Sequence, residues 1–149
     1  MPANIFLKFE PDDTLKGESA QEEYKDQIEV LSYSWGVTQA GGFSYGTGGG
    51  VSKANVQDLS VSFRMSAASP GMMEKCATGD HLDKATLTCL KAGGSQEKYH
   101  TIELEDVVIS SYQTGGSGDD MPIESMTLNF SKVTQKTLER NRKLVVRLT

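Results

Sequence analysis

A strand whose two faces disagree constrains this chain most. Residues 26–37 run Asp26, Gln27, Ile28, Glu29, Val30, Leu31, Ser32, Tyr33, Ser34, Trp35, Gly36, Val37 and include the single tryptophan. Read with a period of two, Leu31, Tyr33, Trp35 and Val37 share one bulky apolar face. The second face opens with Ile28 and Val30, then turns small and polar at Ser32, Ser34 and Gly36. A half-buried strand keeps each face in one environment. This one is expected to leave one packing environment and enter a wet or close-packed one.

The rest of the chain is also built on alternation. Ile5, Leu7 and Phe9 alternate with Phe6, Lys8 and Glu10. Leu59, Val61, Phe63 and Met65 are expected to face the core, and Asp58, Ser60, Ser62 and Arg64 to face out. Ala85, Leu87 and Cys89 share a face, as do Met126, Leu128 and Phe130. Ile102 and Leu104 fall out of phase with Val107 and Ile109, and one extra residue near Glu105 and Asp106, a β-bulge, would put all four on one side. Ser69-Pro70 reads as the start of a helix, with Ser69 as N-cap, and Gly79 ends it. Seven or so strands and one helix predict a mainly β fold. The architecture expected is a small antiparallel β-barrel or sandwich, with one short α-helix on its side and an extended Gly-rich loop. The 149 residues suit a single domain, 1–149, with a sizeable core. The predicted core includes Leu31, Tyr33, Trp35, Leu59, Val61, Phe63, Leu128 and Phe130.

The Gly-rich loop spans residues 39–53. Connections this long are usually functional. Phe43 and Tyr45 would be wasted in a plain linker, so Gly41, Gly42, Phe43, Ser44, Tyr45 and Gly46 read as an arm that docks on something, a second copy of the chain among the candidates. It is no phosphate loop: Ser52 and Lys53 stand in the reverse of the P-loop order and lead into a strand.

Charge divides the chain. Residues 1–130 carry 9 Lys/Arg against 19 Asp/Glu, whereas the last 19 residues carry 6 Lys/Arg against Glu139 alone. An acidic body argues against nucleic-acid binding. The basic tail reads as a solvated end or as a contact with the acidic body of a neighbouring subunit. Cys76 and Cys89 form no disulfide framework and read as core thiols. His81 and His100 lack the partners of a metal site, and no cofactor is expected. There is no Gly-x-Ser-x-Gly elbow. Glu103 and Glu105 point outward and read first as a solvated face, second as an acid/base pair of a hydrolase. No run reaches membrane-spanning length and the start shows no signal peptide. The expected site of synthesis is the cytoplasm, with any export free of a cleavable signal.

Several stretches together resemble the haemolysin-coregulated protein (Hcp) family of type VI secretion tube subunits. They are Lys16-Gly17-Glu18-Ser19, residues 28–37 with Ser34-Trp35-Gly36, Asn55-Val56-Gln57-Asp58-Leu59-Ser60, the helix from Ser69-Pro70 to Gly79, Lys91-Ala92-Gly93-Gly94, and Ser117-Gly118 through Leu128-Asn129-Phe130. They stand in family order over about residues 4–133. The resemblance implies a structural, non-enzymatic subunit of a bacterial type VI secretion system. It implies homo-hexameric rings that stack into an expelled tube, effector proteins in the lumen, and spike and sheath proteins as partners. Ser32 and Ser34 would line the lumen, and the arm would reach a neighbouring subunit. Residues 134–149 depart from the family pattern. Leu144 to Leu148 is the candidate for a closing strand; otherwise that strand is missing or replaced. The competing reading is a monomeric β-domain that binds a small ligand or glycan through its Gly-rich loops, near Phe43, Tyr45 or Tyr112.

Overall fold

In the computed structural model, residues 5–11, 15–20, 24–39, 54–91, 98–137 and 142–147 are described. The elements follow in order: β1 Ile5–Glu10, β2 Ile28–Ser34, β3 Val37–Thr38, β4 Asn55–Val56, β5 Leu59–Arg64, α1 Ser69–Thr78, β6 Leu82–Leu90, β7 Lys98–Gly115, β8 Ile123–Asn129, β9 Lys132–Thr137 and β10 Arg142–Arg147.

Six strands close on themselves. The order β7-β6-β1-β2-β5-β8 returns to β7 through a further β7–β8 pairing, all antiparallel. Closure depends on the length of β7. Its first half pairs with β6 and β9, from Lys98 to Val107. Its second half, from Val108 to Gly115, pairs with β8. The two halves meet at Asp106, whose φ is 55°. Asp tolerates that left-handed conformation better than most residues. The turn shifts side-chain parity by one, so Ile102, Leu104, Val107 and Ile109 are all buried. The irregularity expected at Glu105 and Asp106 is therefore present.

The chain's disputed strand is resolved the same way. The β2–β5 register shifts between Val30 and Ser32. Ile28 and Val30 point inward, Leu31 is the extra residue, and Tyr33 and Trp35 point inward after it. Leu31 is thus not core: it is 46% exposed. Tyr33 and Trp35 are half-buried against the core rather than at its centre. Leu59, Val61, Phe63, Leu128 and Phe130 are buried as expected. Met65, expected to follow them inward, lies past the end of β5 and is 39% exposed.

The helix begins one residue earlier than its Ser69-Pro70 signal suggested, with Ala68 as N-cap, and Gly79 closes it at φ 72°. Ser69 has another task. Its hydroxyl donates to Glu124 on β8 at 2.5 Å, and Tyr112 on β7 donates to the same oxygen at 2.5 Å. Met72 plugs the helix into the core. Glu124 is almost fully buried. Burial pushes its carboxyl up, but the hydroxyls of Ser69, Tyr112 and Thr114 outweigh this and hold it below the usual carboxylate value. Burial and the same carboxylate push the Tyr112 phenol well above its ordinary value.

Residues 16–19 are held by a close backbone contact. Gly17 N–H donates to the Asp26 carbonyl at 2.7 Å, and Ser19 N–H to Gln27 at 3.1 Å. A Cβ on Gly17 would sit 2.6 Å from the Gln27 carbonyl oxygen, so only glycine fits. Glu18 accepts from the Ala67 N–H at 3.0 Å, tying this segment to the approach to α1. Tyr24 then stacks on Phe6 at 4.7 Å, which buries Phe6 on the outer face of β1.

The basic tail does form a strand, but not a closing one. β10 pairs only with β9, as an extension of the β6–β7 side of the sheet. The barrel is complete without it.

Two stability measurements test this. Phe63→Ala should cost about 3–5 kcal/mol in denaturant unfolding, and Leu31→Ala should stay within about 0.5 kcal/mol. Equal losses would place Leu31 back in the core. Glu124→Gln should cost about 2–3 kcal/mol at neutral pH, because hydrogen bonds to a charged acceptor are lost. The folded Glu124 pKa lies below the unfolded one. Its contribution is therefore complete above ~4.3, the ordinary Glu value, and is lost as pH falls through the folded value. The acid branch of the stability curve should be shallower in Glu124→Gln than in the unaltered chain.

Candidate functional site

The two outer faces of the barrel differ in charge. Where β1, β6, β7 and β9 meet, charged side chains stand outward among threonines such as Thr86 and Thr101. Lys8, Glu10, Lys84, Glu103, Glu105 and Lys132 stand there in cross-strand register. Lys8 pairs with Glu10 at 3.5 Å and Lys132 with Glu105 at 3.2 Å. Glu105 is therefore one half of an ion pair on a solvated face.

Across β2, β5, β8 and the second half of β7, two rows of outward positions are hydroxyls but for Gln113. One cross-strand row reads Ser32, Ser62, Ser125, Gln113; the next reads Ser34, Ser60, Thr127, Ser111. With strands ~4.8 Å apart, the rows are about 14 Å wide. The bulge at Leu31 places Ser32 and Ser34 on this outer face, where both are exposed. The bulge at Ser110 does the same for Ser111 on β7. Thr127 Oγ1 lies 2.7 Å from both the Ser110 and Ser111 hydroxyls. Ser110 also donates to Asp58 at 2.7 Å, and Asn129 donates to the other Asp58 oxygen at 2.9 Å.

Between Asp58 and Arg64 at the two ends of β5, these rows carry no charge. Each hydroxyl can donate or accept, so the face can hydrogen-bond to any polar surface without selecting a charge. It lacks the apolar area that drives tight burial. It suits transient contact with large polar objects better than capture of one small molecule.

Ser32 and Ser34 stand together on this face, as the sequence suggested. Ser60, Ser62, Ser111, Ser125 and Thr127 join them, and sequence reading passed over these as ordinary outward positions. A signal was present: these polar positions are hydroxyls, whereas the outward positions of β1 and of the first half of β7 include Lys8, Glu10, Glu103 and Glu105. The arm residues Gly41, Gly42, Phe43, Ser44, Tyr45 and Gly46 lie outside the described residues. β3 and β4, which flank them in sequence, pair as a two-residue ribbon, Val37 opposite Val56. Tyr112, a candidate ligand contact, instead turns its hydroxyl inward to Glu124. Among the described residues, no group of three or more His, Cys, Asp or Glu could hold a metal. No described helix is long and apolar enough to cross a membrane.

Because Ser34 is exposed, Ser34→Gln should leave the melting temperature within a few degrees of the original, measured by circular dichroism. Loss of the fold would mean that this face is packed.

Known proteins share this arrangement. Residues 6–136 match the family described as "Type VI secretion system effector, Hcp". The chain is 42% identical over 135 residues to Protein hcp1 of Pseudomonas aeruginosa, covering 89% of this chain and 82% of that one. The crystal structure of Hcp1 from Salmonella typhimurium superposes with a TM-score of 0.82 at 28% identity, over 97% of this chain and 94% of that one. A type VI secretion system effector from Yersinia pestis gives 0.77 at 26% identity, over 96% and 97%. A closed six-stranded barrel with one helix, and a family match over nearly its whole length, make this chain a member of the Hcp family of type VI secretion proteins.

Proposed function

We propose that this chain is a structural subunit of the type VI secretion tube, assembled as six-membered rings with the β2-β5-β8-β7 face turned to the lumen. The observation that carries the lumen assignment is the contrast between the two outer faces. A channel wall shared by six copies must stay wet, must not collapse on itself, and must let cargo slide. A face of small hydroxyls meets all three needs; the charged face on the β6 side suits contact with the surroundings. The family is one of structural, secreted proteins, and tube assembly through ring oligomers belongs to it.

Each copy in a ring meets the next through two different surfaces, and the rotation closes. We assign Gly41, Gly42, Phe43, Ser44, Tyr45 and Gly46 to contact with an adjacent copy. The support is the ribbon β3–β4, whose Val37 is left 44% exposed. Effector proteins in the lumen, and spike and sheath proteins at the ends and outside of the tube, are the partners this reading entails.

Light scattering should give a mass six times that of the 16.2 kDa chain, and imaging should show rings with an open centre. A strict monomer at high concentration would remove the tube reading and favour a monomeric binding domain. Ser34→Gln should keep the ring mass but alter the amount of effector protein that co-purifies with the ring. An unaltered effector yield would take Ser34 off the lumen wall.

A further inference from the structure

The hairpin of β9 and β10 carries a charge pattern that neither the barrel core nor the lumen assignment uses. The two strands hold five Lys and Arg and no Asp or Glu. Their register sets like charges directly opposite each other: Lys132 pairs with Arg147, and Lys136 with Lys143. Such pairs destabilise an antiparallel ladder, whose opposite Cβ atoms are about 5 Å apart. Glu105 of β7 relieves Lys132 through an ion pair at 3.2 Å. Lys136 stands next to Thr101 of β7 and forms no ion pair with a described residue. Three rows cross β7, β9 and β10: Glu105, Lys132, Arg147; Glu103, Thr134, Val145; and Thr101, Lys136, Lys143. Val145, in the middle row, is 44% exposed.

β10 also ends the sheet. It pairs with β9 on one side, and no described strand pairs with the other. Its outer edge therefore presents backbone donors and acceptors, a template to which an extended chain adds as a further strand. Each row ends on β10 and defines what the next strand must bring. Beside Arg147 and Lys143 it must bring carboxylates, and beside Val145 an apolar group. These positions alternate along a strand, so the fitting sequence is acidic, any, apolar, any, acidic.

We infer that the edge of β10 is a docking site for an acidic extended segment of another protein, which joins the sheet as a further strand. A second β10 does not fit. Pairing two copies of this edge sets basic residues against basic residues, which is how edge lysines guard against self-association. Nor does a second copy offer an acidic edge. The six barrel strands are paired on both sides, and the other described edges belong to the ribbon of Val37–Thr38 and Asn55–Val56, which carries no charge. The charges on β10 thus act twice, against the wrong partner and for the right one. A solvated tail would explain neither the like charges in register nor the exposed valine between them. Docking here is independent of ring formation.

The test measures fluorescence polarisation of labelled peptides on the full chain, with circular dichroism as the folding control. The probe is Thr-Glu-Thr-Val-Thr-Glu-Thr, which when extended puts both carboxylates and the valine on one face. It should bind saturably. The permuted peptide Thr-Thr-Glu-Glu-Val-Thr-Thr has the same composition and charge but splits the carboxylates between two faces. It should bind about tenfold more weakly or worse, as should the probe with all its amides N-methylated, which cannot add to a sheet edge. Lys143→Glu combined with Arg147→Glu should abolish binding of the probe and create binding of Thr-Lys-Thr-Val-Thr-Lys-Thr. If that variant does not fold, the peptide comparisons on the unaltered chain decide. No saturable binding of the probe, or equal binding of the permuted or N-methylated peptide, overturns the inference. So does a fall in solution mass in the folded double variant, which would make a second copy the occupant.

Discussion

The fold depends on one strand that belongs to both sides of the barrel. β7 runs for 18 residues and changes partners midway, from β6 and β9 to β8. A straight strand could not do this and keep its apolar residues inside, because its parity would carry Val107 and Ile109 outward. Asp106 resolves the conflict with a single left-handed residue. The kink is held from both sides. The Glu105 carbonyl accepts from the Ser131 N–H at 3.1 Å and hydroxyl at 3.3 Å, where the chain turns from β8 into β9. The Asp106 carboxylate meets His81 Nδ1 at 2.7 Å, where it enters β6. The residue that bends β7 is thus fixed to the strand on one flank, and its neighbour to the corner on the other.

The same device shapes the surface. Bulges at Leu31 on β2 and Ser110 on β7 sit on two strands of the hydroxyl face. Each shifts parity once. Each converts what would be a core row into a mixed strand: apolar inward, hydroxyl outward. The barrel therefore uses irregular strands both to close its core and to present one uniform face. The hydroxyls add a modest stabilisation of their own, since Ser110, Ser111 and Thr127 hydrogen-bond across the strands. A face of this kind need not be flexible to be adaptable, because hydroxyl rotors adjust while the backbone stays fixed.

Much of this was legible in the chain. The alternation at Leu59, Val61 and Phe63, and at Met126 and Leu128, marks core strands because burial on one side imposes a period of two. The irregularity near Asp106 was legible because the phase error between Leu104 and Val107 has one simple cure. The bulge at Leu31 was not legible in the same way. The phase there is ambiguous: Ile28 and Val30 suit one face, Tyr33 and Trp35 the other, and all four are apolar. Only pairing with β5 shows that both sets point inward. Ser69 shows a different limit. Its local signal as an N-cap is real, but its hydroxyl is taken by Glu124, 55 residues away. Local propensity yields there because a buried carboxylate without donors would cost more than an uncapped helix end. The hydroxyl face was hidden because it is a property of register. No single strand shows it; four strands must be aligned before the two rows exist.

Barrel closure before the basic tail clarifies how such a subunit can both fold alone and assemble. All six barrel strands have partners on both sides, so the subunit's core exposes no strand edge to strangers. Among the described residues, the unpaired edges belong to β10 and to the small ribbon β3–β4, both outside the barrel. Among the described residues, the large exposed apolar side chains are likewise spread over α1, β10, the β5–β8 end, the ribbon and the bulge. A large single patch would favour aggregation in the free subunit. Several small ones, each with a charged or polar neighbour, are weak individually and add up only when copies are correctly oriented. That arrangement separates folding from assembly: the core is fixed by β7 and its kink, while association draws on edges and patches that the core does not need.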